Sequence, residues 1–390
     1  MKSAVAKKFG EARDLFAITD PAKGYIYLNA ASTGPMCRPV LEVLHDYYDS
    51  AQYLDTDSDT PAFAALERIR EKGAGLIGAD HDEIGFGFNT GYGLNIAAFG
   101  LPLQKGDEVL LSDIEFPSNV YPWLALRERG IGVRFVESVD GFFDVERLVE
   151  AIGNRTRVLS LSFVQFFNGY KNDIREIGRI CRERGLYFVV DGIQGCGHQR
   201  LDVHDCYIDI FASGAQKWLL SPLGTGFFYI RRAIRDRLHI PFAGWLSVDW
   251  QMNFSDLFHY DLPFFDSARR FELGTYPYAH VHAMATALEL ITGLGPENIQ
   301  DHNQALLDLV IDYIESGHYY RITSSLEKDR RSSILSFTCV DARRIYDELR
   351  RRKILTAFRE GAIRISPHLY NDREDMKQLI EALDELARSS

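Results

Sequence analysis

Seven short runs of apolar, aromatic and β-branched residues mark the chain between residues 83 and 230. They are EIGFGF (83–88), DEVLLS (107–112), GVRFV (132–136), RVLSLSF (157–163), LYFVVDG (186–192), YIDIFAS (207–213) and GTGFFYI (224–230). Between them lie amphipathic stretches, such as SNVYPWLALRERG (118–130) and NDIREIGRICRERG (172–185). Nearly continuous apolar strands alternating with helices predict a mostly parallel sheet covered by helices on both faces. Both RERG endings place charges in a last helical turn and Gly just past it, the usual helix stop.

After about residue 265 the pattern changes. A long helical stretch near 280–316 leads to SSILSFTCV, a helix near 341–352, two short strands and a last helix near 372–388. That order predicts a smaller α+β domain over 265–390, following a large domain over 21–264, with residues 1–20 packing on the small one. The aromatic, Pro-containing segment 231–265 reads as a connector that shapes a pocket.

Composition narrows the function classes. A net charge of −11 gives no electrostatic case for nucleic acid or an anionic membrane. No apolar run approaches the ~18–20 residues that span a bilayer. The first 16 residues are charged throughout and lack the apolar core of a secretion signal. Five scattered cysteines fit reduced thiols in a cytoplasm better than a disulfide framework.

The candidate chemistry centres on DIFASGAQKWLLSPLGTGFFYI (209–230), where Lys217 is the one basic residue among small, aromatic and aliphatic neighbours. In an open parallel sheet, ligands gather at the carboxyl ends of the strands. One such end carries Asp191, followed by Gly192 and Gln194. Another carries Ser213, then Gln216 and Lys217. A third carries Asn89, Thr90 and Gly91 and starts a helix, which offers N–H groups and a hydroxyl to a phosphate. Neither glycine cluster matches G-x-G-x-x-G, which argues against a dinucleotide site. The run CGHQRLDVHDC (196–206) has no common zinc spacing and reads as loop and strand. A phosphate seat, a strand-end carboxylate and a sheltered lysine point to pyridoxal 5′-phosphate (PLP). Desolvation favours the neutral amine that imine chemistry needs.

These residues carry a resemblance. The segment VVDGIQGCGHQRLDVHDCYIDIFASGAQKWLLSPLGTGF resembles the signature of class-V aminotransferases, fold-type I PLP enzymes whose relatives include cysteine desulfurases, isopenicillin N epimerase and kynureninase. The likeness runs from YLNAASTGP near the start to IRISPHLYN near the end. It implies a PLP-binding α/β domain plus a small C-terminal domain, and assigns roles by position. Lys217 would be the Schiff-base lysine and proton shuttle, and Asp191 would pair with the pyridinium nitrogen. Gln194 would bond the ring oxygen, while Thr90, Gly91, Ser213 and Gln216 would hold the phosphate. Arg364, with Asn29, would bind the substrate, the guanidinium taking its α-carboxylate. Thr275 in RFELGT would reach the phosphate of a second subunit, which would make the protein a homodimer.

The chain also departs from desulfurases. Phe116 stands where they place a ring-stacking His, Phe166 where they use an Asn, and the stretch before Arg364 (RRKILTAFREGAIRIS) has no cysteine. The nearest thiol, Cys339, falls in an apparent core strand. The resemblance therefore implies an enzyme acting on a small amino acid or amine, with transamination leading. A β-eliminating C–S lyase or an epimerase without a catalytic cysteine comes next. A non-catalytic binding protein that kept the fold is the alternative of another class, opposed by the joint presence of Lys217, Asp191 and Arg364.

Overall fold

All seven apolar runs form strands of one sheet. The structure, a computed structural model, describes residues 3–53, 59–250, 253 and 255–389. The strands are β1 (Ile84–Gly87), β2 (Glu108–Ser112), β3 (Gly132–Val136), β4 (Thr156–Ser162), β5 (Tyr187–Asp191), β6 (Ile210–Gly214) and β7 (Gly226–Ile230). Their order across the sheet is β1-β7-β6-β5-β4-β2-β3. β7 runs antiparallel to both neighbours, and the other pairs are parallel. Hence β1, β2, β5 and β6 all end on one side of the sheet.

Alternation along each strand divides the side chains between two helix layers. Val109, Leu111, Val158, Val189, Ile210, Ala212, Phe228 and Ile230 pack under α4 (Thr90–Gly100). Leu110, Leu159, Phe188, Val190, Phe211, Phe227 and Tyr229 face the opposite way, into the core that α3 (Asp59–Ile77) and α6 (Tyr278–Leu294) cover. Edge strand β3 differs: most of its residues are exposed, and Val136 is buried.

NDIREIGRICRERG forms helix α5 (Ile174–Arg184). It is capped by the Asp173 carboxylate, which accepts from Glu176 N, and stopped by Gly185 at φ 68°. SNVYPWLALRERG departs from the expected single helix and breaks into short turns at 117–119, 121–124 and 125–129. Pro122 is the reason. It has no N–H to continue a helical ladder and its ring excludes the carbonyl a turn earlier.

In the C-terminal part, Gly295 (φ 87°) and Pro296 split the long helical stretch into α6 and α7 (Pro296–Ser316). An antiparallel sheet follows, with β8 (Arg321–Ile322), β9 (Leu335–Thr338), β10 (Ala357–Arg359) and β11 (Ala362–Ile365) in the order β10-β11-β9-β8. Helices α8 (Ala342–Arg351) and α9 (Arg373–Arg388) pack on it. The apolar positions of α6 belong to the large core and those of α7 from Leu306 onward mainly to the small one. The two cores thus meet in the stretch between α6 and Leu306 of α7. Near the N-terminus, α1 (Ser3–Arg13) and the turn after it touch both parts. Phe9 and Phe16 join the large core, Phe9 stacks on His302 of α7, and Arg13 pairs with Asp372 and Asp375 of α9. Among the described residues no helix is long and apolar enough to cross a membrane.

Candidate active site

At the shared carboxyl side of β1, β2, β5 and β6 lies a cavity of ≈ 290 Å³. Asn89, Thr90 and Gly91 line it from the β1–α4 turn, Phe116 and Ser118 from the loop after β2. Asp191 and Ile193 line it after β5, and Gln216 and Lys217 after β6. A larger cleft opens at the amino ends of the strands, but it holds none of these groups.

Asp191 is the last residue of β5, on the same face as Val189 and so on the α4 side. Burial pushes its carboxyl above the usual range, and the nearby Glu115 carboxylate adds to that. The Ile193 N–H, which donates to Asp191 Oδ1 at 3.0 Å, and the Lys217 ammonium oppose it. Burial lowers the proton affinity of Lys217. The Asp191 charge opposes this shift, while the guanidinium groups of Arg364 and Arg359 reinforce it. The site thus holds an acid that resists ionising beside an amine that gives up its proton readily. Lys217 Nζ lies 5.6 Å from the centroid of the Phe116 ring, which in turn packs edge-on against Phe166.

The α4 end is prepared for an anion. Asn89 caps the helix by accepting from Tyr92 N at 2.9 Å, and the Thr90 hydroxyl accepts from Gly214 N at 2.9 Å, tying α4 to the end of β6. Gly91 carries no side chain into the cavity, and Gln216 Oε1 is buried without a hydrogen bond. Near Lys217, whose proton affinity it lowers, Arg364 is buried among neutral partners. Its Nη2 donates to Ser32 Oγ at 2.7 Å, Nη1 donates to Phe166 O, and Nε has no partner. Burial, reinforced by Arg359, pulls its guanidinium down to about 9, with Tyr27 opposing. Asn29 bridges to Ser366 beside it, and its Oδ1 is buried and unpaired.

Other expected residues sit elsewhere. Ser213 shares the Phe211 face of β6, points away from α4 by strand alternation, and donates to Gly214 O at 3.1 Å near Cys196. Gln194 stands behind Lys217, with its Oε1 accepting from Trp218 Nε1 and its Nε2 donating to Ala31 O, both at 2.9 Å. One amide N–H of Gln194 stays available. Trp218 is wedged between His198 and His368, and His368 Nε2 meets Trp218 O at 2.9 Å. Thr275 lies outside the cavity, exposed, at φ 50°, accepting from Trp245 Nε1 at 3.3 Å.

Several groups at the site carry no clear signal in the sequence. Glu115 is a buried carboxylate that accepts from Ser162 N and Oγ, Asn119 Nδ2 and Gln165 Nε2. Its neighbour Ser162 is paired with Asp191 across the β4–β5 ladder. Ser32, Arg359 and Ser118 are equally silent in the sequence. A charged Glu directly before Phe116, between two apolar segments, was the one available signal. The cysteines all lie off the cavity wall: four are buried and Cys339 is half-buried at the end of β9.

The donor set suits PLP. A helix N-terminus, a strand-end carboxyl, the unpartnered Gln216 Oε1 and a lysine whose burial lowers its proton affinity line one cavity, and Arg364 Nε and Asn29 Oδ1 are further buried atoms without partners. The class-V aminotransferase family model matches residues 26–379. A "probable cysteine desulfurase" of Methanothermobacter thermautotrophicus is 30% identical over 390 residues, covering 94% of this chain and 95% of that protein. An "uncharacterized aminotransferase", YcbU of Bacillus subtilis, is 29% identical over 92% of this chain and 93% of its own length. In fold, the chain is similar to a cysteine desulfurase from Thermococcus onnurineus, with TM-score 0.85, 22% identity and 98% of each chain covered.

Proposed function

We propose that this chain, which belongs to the class-V aminotransferase family, is a PLP-dependent aminotransferase of a small α-amino acid. The observation that carries this reading is the convergence of Lys217, Asp191 and the helix end at Thr90 on one cavity, with the buried, acid-free Arg364 close enough to perturb Lys217. When bound, the cofactor supplies an aldehyde for the substrate nitrogen and a ring that accepts electrons.

This chain's residues do the rest. Thr90 Oγ1, the Gly91 N–H and Gln216 would hold the phosphate at the start of α4. Asp191 would accept from a protonated ring nitrogen. Phe116, on the cavity wall beside Lys217, would lie against the ring and, lacking a titratable group, leaves proton transfer to Lys217. Arg364 takes the α-carboxylate and so orients the Cα–H bond. Lys217 Nζ, whose burial favours the free amine, would take up that proton and hold it as the ammonium until it is given back. The exposed Thr275 is the residue offered to a second subunit, so the working form is a homodimer. Five unpaired cysteines suit a reducing cytoplasm.

A second reading, a β-eliminating lyase, draws on the 30% identity to a probable cysteine desulfurase. The two reactions share removal of the Cα proton and part at the next step. With all five thiols off the cavity wall, such a lyase would release its leaving group to solvent rather than to an enzyme sulfur. Incubation of the yellow protein with single amino acids tests both. Restoration of the starting spectrum by a keto acid supports transamination; pyruvate and ammonia without an acceptor support the lyase. No spectral response to any amine would leave the non-catalytic alternative standing.

A further inference from the structure

The hairpin β10–β11 presents two arginines to the substrate side, and only one is needed for an α-carboxylate. Ala357 pairs with Arg364 and Arg359 with Ala362 across the ladder, so both guanidiniums project from the same face, each opposite an alanine. The turn between them, Glu360 (φ 45°) and Gly361 (φ 76°), has the left-handed pair of a tight hairpin that fixes this register. Both side chains reach for the same hydroxyl: Ser32 Oγ lies 2.7 Å from Arg364 Nη2 and 3.5 Å from Arg359 Nη2. Arg359 Nη1 donates to the neighbouring carbonyl of Phe358.

Like charges on one face of a hairpin repel, and proteins normally interleave an acid. Among the described residues neither arginine has an ion pair with Asp or Glu, although most arginines of this chain do. Glu360, at the turn itself, pairs with neither. The one acid on the cavity wall is Asp191, and the proposed function assigns it to the ring nitrogen. Arg364 is deeply buried and matches an α-carboxylate. Arg359 is exposed, and like Arg364 it is close enough to Lys217 to perturb it.

We infer that Arg359 forms a subsite for a second anionic group, so that the substrate is an α-amino acid with an acidic side chain, a carboxylate or a sulfur oxyanion. The inference rests on the proposed function and adds the substrate class. A planar guanidinium with free donors takes either anion by paired N–H···O bonds.

Amine-free analogues test this without turnover. Succinate, 3-sulfopropionate and butyrate are titrated into the cofactor-loaded protein, with the cofactor absorbance and the melting temperature as readouts. Either dianion should bind at least about tenfold more tightly than butyrate, and whichever binds better names the side-chain group. Arg359→Gln should remove that advantage and leave butyrate affinity unchanged, while Arg359→Lys keeps part of it. Equal binding of all three ligands, or an equal loss for butyrate and succinate in Arg359→Gln, overturns the inference and makes Arg359 a second clamp on one carboxylate. Cofactor uptake is read first in the same samples. Protein that takes up PLP but does not prefer dianions defeats this inference alone; protein that takes up none defeats the proposed function and this subsite together.

Discussion

Gly34 and Lys217 are in direct backbone contact: a Cβ on Gly34 would overlap the carbonyl oxygen of Lys217 and come within 2.6 Å of Leu220 Cδ2. The Gly34 N–H also donates to Gln216 O at 2.8 Å. The loop 29–35 is thereby laid onto the segment that carries the lysine. Gly34→Ala should push the two apart, at a cost of about 1–3 kcal/mol typical of overpacking. Thermal melts and cofactor retention after gel filtration check it; a variant with unchanged melting temperature and full cofactor content would contradict the contact.

Lys217→Ala should leave a folded protein that borohydride no longer labels covalently with cofactor. Turnover should fall by about 10³-fold or more, as expected when a proton-transferring group is removed. Peptide mapping after reduction of the unaltered protein should find the label at 217 and nowhere else.

Arg364→Met separates stability from binding. A buried guanidinium with an unpaired Nε and a depressed proton affinity is held at a cost, which an anion bound against it would offset. The substitution should lower kcat/KM by about 10²-fold or more, yet leave the melting temperature of the ligand-free protein no lower than before. A large loss of stability would instead make Arg364 a structural residue.

The histidines around Trp218 set the acid response. Burial lowers His368 to about 4 and His198 to about 3, from an ordinary value near 6.5. The unfolded chain therefore binds protons that the folded chain refuses, and stability is lost as pH falls from about 6.5 towards 4. For His368 alone the loss reaches about 3 kcal/mol. Denaturant midpoints across that range should fall steeply in the wild type and less so in His368→Gln.

Cys339→Ser should keep kcat/KM within about twofold, the usual result for a half-buried residue away from the chemistry. Cys37, Cys181, Cys196 and Cys206 are buried and their thiols are pushed above the ordinary range, which disfavours thiolate chemistry. Abolition of turnover in Cys339→Ser would point to an enzyme-bound sulfur and away from transamination.

Local pattern alone specified much of this protein. Seven apolar runs became seven strands, six of them because a strand buried on both faces has to be apolar almost throughout; the edge strand β3, mostly exposed, is the exception. Lys217, Asp191 and Thr90 were legible because each lies at or just beyond the end of such a run, and the strand ends converge in any sheet of this kind. Tertiary structure decided what no short window contains. Ser213, four residues from the lysine, faces away from α4 because period-two alternation turns it to the far side of the sheet. The helix expected at 118–130 broke ahead of Pro122, which opens a short turn of its own. Ser32 meets Arg359 and Arg364 from a segment more than 300 residues away, and Glu115 meets Ser162 across neighbouring strands. Their meeting depends on packing of whole layers, where burial and long-range charge, rather than the spacing of neighbours along the chain, set what each group does.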